Sequence, residues 1–284
     1  MNSNETIRKV PNVETAMRAR PERHLRIRHV ACAALFVTGA AHAQSTGVRS
    51  GWDATLGAGV AIAPRYPGSD ARRVSPVPLI DVHYGPWFIG NIPSFANPFG
   101  LGIDLYRNGN WRLGLAASSA LRGTRDESDD ARLAGLGDVG RPLRLGAFGA
   151  YSARCFEVRG YVGTDASRSR QGTIATLESE LRWQPVDRLT LTTGPGLMWT
   201  NGRYAQTLYG IDAAQSARSG LPAYHAGAGL GAAYWLAGAR WRIDNHWQLM
   251  ASAAIERLAG DARDSPIVRK SVQTYFMVGT AYRF

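Results

Sequence analysis

The sequence predicts an all-β chain closed into a transmembrane antiparallel β-barrel of about twelve strands, with short periplasmic turns and long outer loops. Three observations predict it. Apolar residues alternate with small or polar ones in segment after segment, the period of a strand with one apolar face. The connections between these segments alternate short and long, as an even-stranded barrel with both termini on one side of a membrane requires. Finally, no segment carries a convincing helical period, and no Pro/Ser-rich linker or charge run divides the chain.

The chain of 284 residues begins with an address. Arg18, Arg20, Arg23, Arg26 and Arg28 precede the apolar run Val30–Ala41, and Ala41-His42-Ala43 fits the small-x-small cleavage pattern. That run is shorter than the roughly 20 apolar residues of a spanning helix. Residues 1–43 therefore read as a signal peptide, with translation beginning at Met17 as an expectation, and 44–284 as the exported barrel. The full chain carries net +11. Seven basic and three acidic residues fall in 1–43, which leaves +7, and Lys270 is the only lysine among the remaining cations. The arginines are scattered and the chain is exported, so nucleic acid is not the expected partner; outer-membrane lipid and lipopolysaccharide are. Cys155 is the single cysteine after residue 43, which excludes an intrachain disulfide.

In order, the predicted strands are Trp52–Ile62, Val74–Tyr84, Trp87–Ile92, Pro98–Arg107, Trp111–Leu121, Leu143–Ala153, Cys155–Thr164, Thr173–Trp183, Leu189–Thr200, Gly231–Ile243, Trp247–Ile255 and Lys270–Phe284. Most are near the 9–11 residues of a tilted membrane strand. Short connections carry turn chemistry: Gly85-Pro86, Asn108-Gly109-Asn110, Arg154, Pro185-Val186-Asp187 and Asp244-Asn245-His246. Long ones are Ala63–Arg73, Pro93–Asn97, Arg122–Pro142, Asp165–Gly172, Asn201–Leu230 and Arg257–Arg269. Tryptophans near segment ends suit interfacial girdles. In the last strand, Gly279, Tyr282 and Phe284 resemble the C-terminal recognition signal of outer-membrane barrels; in water this aromatic edge would invite aggregation.

The faces opposite the apolar ones carry Asp104, Arg112, Arg144, Glu157, Arg159, Glu178, Glu180, Arg182, Arg240, Arg242 and Glu256. Inside a barrel these six arginines and five carboxylates are expected to pair, because an unpaired charge away from bulk water is costly. The mixture suits a narrow pore or a cross-linked interior, and the long Asn201–Leu230 loop is long enough to fold in as a plug. Of the histidines after residue 43, His83, His225 and His246, none sits in a triad-like motif, and the chain reads as non-enzymatic. Asp126, Glu127, Asp129 and Asp130 make an acidic loop tip without calcium-loop spacing, so no metal or cofactor is expected.

Several stretches together resemble the MipA/OmpV family of outer-membrane proteins. They are Pro64–Asp70 with Tyr66, Pro67, Gly68, Ser69 and Asp70, then Val74–Pro78, Leu136–Val139, and Tyr204–Asp212 with Tyr204 and Tyr209. Ser219–Tyr224 with Gly220 and Pro222, and Gly260–Val268 with Asp261, Asp264, Ser265 and Pro266, complete the set, together with the Tyr282-Arg283-Phe284 ending. The chain departs from the pattern at Leu208-Tyr209, and at Asp212 where members often have serine. The resemblance implies a barrel scaffold that brings a lytic transglycosylase together with a bifunctional penicillin-binding protein in cell-wall assembly. Other members imply a small-solute porin or a surface adhesin as alternatives. It supplies no catalytic residues.

Overall fold

A computed structural model of the protein describes residues 51–119, 123–167, 169 and 171–284. Residues 1–43, expected to be a signal peptide, and most of Gln44–Gly51 lie outside these residues. Twelve strands form one closed antiparallel barrel in strict sequence order: β1 (Trp52–Pro64), β2 (Arg72–Tyr84), β3 (Trp87–Asn91), β4 (Phe99–Asn108), β5 (Trp111–Ser119), β6 (Leu143–Ala153), β7 (Phe156–Asp165), β8 (Thr173–Val186), β9 (Leu189–Thr200), β10 (Gly229–Arg242), β11 (Trp247–Leu258) and β12 (Val272–Arg283). Closure is made by β12, whose Phe276, Val278 and Thr280 lie opposite Ile62, Val60 and Ala58 of β1. No free edge remains there, which answers the hazard posed by an apolar final strand.

The period of two becomes two surfaces. Outward go Leu101, Ile103, Leu113, Leu115, Leu145, Leu177, Leu181, Ile255, Phe276 and Val278, while Phe88, Phe148, Tyr161, Tyr234, Met250 and Tyr275 are buried inside. An apolar outer belt of this kind is stable only with lipid as its solvent. Aromatic pairs ring the short-turn end: Trp52 with Tyr84 (4.8 Å), Trp111 with Tyr151 (4.9 Å), and Tyr282 with Trp247, His246 and Phe284.

Several boundaries differ from expectation for local reasons. Cys155 belongs to a two-residue turn with Arg154, whose φ of 36° is left-handed, so β7 starts one residue later. β8 runs on through Pro185 and Val186 by way of a bulge after Trp183, leaving Asp187-Arg188 as the turn. Leu121 lies outside the described residues. β3 pairs with β2 at only three positions, Val82, His83 and Tyr84. Beyond them β2 is an edge, and that is where Pro76 and Pro78, which cannot donate to a ladder, are tolerated.

The long connections contain three helices: α1 (Gly202–Tyr209), α2 (Ala213–Ser219) and α3 (Gly260–Asp264). They run five to eight residues, too short to show a period in sequence. Asn201 caps α1 by accepting from Tyr204 N at 3.0 Å. Asp212 and Gln215 make a reciprocal capping box on α2, which ends at Gly220 with φ 73°. Serine and aspartate are near-equivalent caps, so the departure at Asp212 preserves the local structure.

Candidate functional site

The family-like loop motifs, scattered in sequence, meet over the mouth at the long-loop end. Tyr66, Leu133, Leu136, Ile211 and Ile267 come from four different loops and form a second apolar core, with Leu221 and Tyr224 packed against it. Backbone and side-chain bonds lace it together. Gly68 O accepts from Arg269 N (2.8 Å) and Lys270 N (3.0 Å). Gly68 must be glycine twice over, because its φ is 99° and a Cβ would lie 2.6 Å from Val268. Ser69 O accepts from the Gln273 amide (3.2 Å), and Asp70 pairs with Arg269 (3.0 Å). Ser265 donates to Tyr209 O (2.6 Å), Pro266 O accepts from Arg132 (3.2 Å), and Asp261 accepts from Gly227 N (2.7 Å). Pro67 lies partly covered beside Tyr66, whereas Pro222 and Asp264 stay on the surface, the latter paired with Arg263 at 2.8 Å. Burial, and then Asp130 and Asp70 nearby, push the Tyr66 hydroxyl up from 10.0 to about 12.

Two arginines anchor this cap to the barrel. Arg144, 1% exposed, bonds Gln171 at 2.8 Å and lies 5.4 Å from the Tyr204 ring centre. Gln171 in turn donates to Gly123 O (2.7 Å) and Gly140 O (2.8 Å). Arg125 donates to Leu208 O in the last turn of α1 (2.8 Å), a favoured place for a cation; burial lowers its pKa.

Below the cap the lumen is filled, though not by the segment expected. Asn201–Leu230 covers the mouth, its α1 contributing Tyr204, Leu208 and Tyr209 to the cap and core. The segment that enters the barrel is Ile92 to Pro98, among the shortest of the connections at the long-loop end. Proline at 93 ends the β3 ladder and turns the chain inward. Phe95, 0% exposed, packs on Tyr234 (4.8 Å) and Tyr275 (5.5 Å), and Ser94 bonds Thr176 (3.1 Å). Glu178 holds it. One of its oxygens accepts from Phe95 N (2.6 Å) and the Tyr234 hydroxyl (2.8 Å), the other from Arg159 (2.7 Å).

The predicted lumen charges mostly converge. Arg159 meets Glu178, Glu180 (3.1 Å) and Glu157 (3.6 Å), and Arg182 meets Glu180 (3.3 Å) and Glu157 (3.7 Å). Arg112 binds Asp104 (2.8 Å) and lies over Phe88 and Phe148. Glu256 accepts from Tyr275 (3.1 Å). Arg242 is a correction: its position at the strand end leaves it at the open rim, donating to Asp187 O. Inward glycines make room for the lumen aromatics. A Cβ on Gly102 would strike Phe88, on Gly114 Phe148, and on Gly196 Tyr234; one on Gly279 would lie 2.8 Å from Leu79. Toward the short turns the interior opens into a cavity lined by Glu180, Arg182, Thr190, Thr192, Arg240 and Ser252. Across from it, His83 lies 3.3 Å from Asp81.

Sequence reasoning missed the inserted Phe95, its partners Tyr234 and Tyr275, and the anchors Arg125 and Gln171. An aromatic between two prolines in a loop was the available signal for Phe95. The acidic tip is spent on internal contacts: Asp129 pairs with Arg73 and accepts from Asp126 N, and Glu127 accepts from Gly137 N (2.7 Å). Among the described residues no group of three or more His, Cys, Asp or Glu side chains is arranged to hold a metal ion.

Fold and site together define a transmembrane β-barrel of the outer-membrane class. Similar solved structures include the NanC porin (TM-score 0.36, 8% identity, covering 82% of this chain and 100% of that one) and OmpF of Salmonella typhi (TM-score 0.35, 15% identity, 74% and 63%). The family model described as MltA-interacting protein MipA matches residues 56–284, and the chain belongs to that family. It is 27% identical over 233 residues to the MltA-interacting protein of Escherichia coli, covering 81% of this chain and 90% of the relative. It is also 27% identical over 185 residues to the putative outer membrane protein YiaT of Escherichia coli, covering 65% and 74%.

Proposed function

We propose that this barrel is a non-enzymatic scaffold that holds murein-processing enzymes at the outer membrane, not a pore. The observation that carries the reading is the filled lumen: Phe95, Tyr234 and Tyr275 packed under a four-loop cap leave a solute no obvious path through. The partner class follows the relative named for interacting with MltA, with a lytic transglycosylase and a bifunctional penicillin-binding protein as the expected pair. Such enzymes work on the periplasmic side, where the turns are only two to four residues long and offer little to grip. The cavity behind those turns, lined by Glu180, Arg182 and Arg240 among apolar surface, supplies a concave surface in their place.

Planar-bilayer conductance and pull-down of the full chain test the reading together. Electrical silence with retention of a murein hydrolase supports the scaffold. Steady conductance with no partner present would make it a small-solute channel. Cap-dependent binding to whole cells, without either, would make it an adhesin.

A further inference from the structure

The outward face of the barrel carries an exception to its own rule. Along all twelve strands, among the described residues, the positions that point away from the lumen are apolar, small or uncharged polar, save two: Arg72 on β2 and Arg257 on β11. Their inward neighbours show which way each points. Arg73 pairs with buried Asp129, and Glu256 is 2% exposed within the lumen. The two arginines, 185 positions apart in sequence, flank the same two strands, β12 and β1, at the same end of the barrel. Arg257 is level with Val272 and Ile255 with Thr274 across β11 and β12, while Arg72 reaches past β1 to donate to the Thr274 hydroxyl. The Arg72 guanidinium therefore meets Thr274 from one side, and Arg257 stands on the neighbouring strand at the other, one outward position nearer the loops, at the long-loop end of the belt.

Arg72 does not behave as a side chain simply escaping to water. Long cations near a membrane boundary extend toward the aqueous side, yet Arg72 lies 5.9 Å from the centre of the Phe276 ring, one outward position nearer the middle of the belt. No carboxylate shares the outward face of β11, β12, β1 or β2. One planar fork on a hydroxyl and a second arginine on the adjacent strand, with apolar Ile255 and Phe276 nearer the middle of the belt, suit a phosphate whose molecule continues into hydrocarbon.

We propose that Arg72, Arg257 and Thr274 form a site for the phosphate of an anionic lipid headgroup in the leaflet at the long-loop end, its acyl chain lying along Ile255 and Phe276. The site depends only on the barrel's placement in a membrane and is independent of the scaffold reading.

The test is native mass spectrometry of the full chain folded in a non-ionic detergent, offered phosphatidylglycerol and phosphatidylcholine in equal amounts. Wild type should retain one phosphatidylglycerol with a preference of about thirtyfold, the effect of two arginines at an anionic surface. Arg72→Gln with Arg257→Gln should abolish that preference; Arg72→Lys with Arg257→Lys should keep most of it. Arg203→Gln with Arg218→Gln removes two exposed charges from the cap and should change nothing. Unchanged gel mobility and far-ultraviolet spectrum show that each variant is folded. Equal retention of the two lipids by wild type, or preference surviving the double glutamine variant, would overturn the site. Inorganic phosphate competing as strongly as the lipid would overturn the lipid as its source.

Discussion

The two halves of the barrel are made by the same twelve strands, yet they treat their interior charges differently. Toward the long loops, Arg144, Glu178 and Glu256 are each about 1–2% exposed and bound to buried partners. Toward the short turns, Arg182, Asp81 and His83 keep 14–27% of their side-chain surface, and Arg182 lines a cavity. The difference comes from what covers each end. Four loops, three helices and the inserted Phe95 seal the first; tight turns leave the second open. A charge in the sealed half is held in a low dielectric, where losing a partner is costly, whereas a charge in the open half is shielded by water.

The strongest way to break this contrast is Glu178→Ala. It removes one of the three carboxylates around Arg159 and, at once, the acceptor of both the Tyr234 hydroxyl and Phe95 N. A buried donor that loses its acceptor costs about 1–3 kcal/mol, and with two such donors reversible urea unfolding in detergent micelles should show a loss of several kcal/mol. The same variant should conduct in a bilayer, because the Ile92–Pro98 segment loses its anchor. A variant both as stable and as silent as wild type would mean that the lumen is filled without Glu178.

Gly68→Val attacks the cap instead. Left-handed backbone on a branched residue costs about 1–3 kcal/mol, and the new side chain collides with Val268. Protease added to intact cells should then cut within Arg122–Pro142 or Asn201–Leu230, while the barrel itself persists. Alkali offers a milder route. The Tyr66 hydroxyl is held neutral, with its pKa raised from 10.0 to about 12. Its contribution is present in full below pH 10 and is lost as pH rises toward 12. Ultraviolet titration of tyrosinate, with Tyr66→Phe as reference, should show one late-ionising group, and cap cleavage in wild type should rise over the same interval. Tyr66 ionising with the other tyrosines would place it in water. Smaller still, Asp212→Ala should cost about 1 kcal/mol of local stability and Asp212→Ser almost nothing, read by hydrogen exchange across α2.

Strands were legible in the sequence because each carries its own evidence. Residues such as Leu101, Ile103, Leu113 and Leu115 alternate locally, and the lipid on one side makes the period strict. Turn residues set the register from one strand to the next. Interior charges were legible for the same reason, by parity, and failed only at Arg242, where the strand end outruns the lumen. The cap was half legible. Its motifs were visible as stretches resembling a family, but nothing local says that Tyr66, Leu136, Ile211 and Ile267 meet, since they join only through tertiary packing. Least legible was the inserted segment. Phe95 finds Tyr234 and Tyr275 more than a hundred residues downstream, and loop length, the obvious guide, pointed to Asn201–Leu230 instead.

The smallest effect tests the open half, where the expectation is near-silence. Arg182→Gln removes a guanidinium from two carboxylates, Glu180 and Glu157, at 3.3 Å and 3.7 Å. By geometry alone it resembles the loss of Arg159. Burial separates them: Arg182 is 14% exposed and lines the cavity, Arg159 is 5% exposed in the packed interior. Arg159 also keeps Glu180 and Glu157 company when Arg182 is gone, so no carboxylate is stranded. Urea unfolding of Arg182→Gln should therefore shift by less than about 1 kcal/mol, against several for Glu178→Ala. Added salt should shrink even that difference, because water and ions reach the pair. A loss as large as that of Glu178→Ala, indifferent to salt, would mean the cavity end is sealed in the membrane, and the contrast between the halves would fall with it.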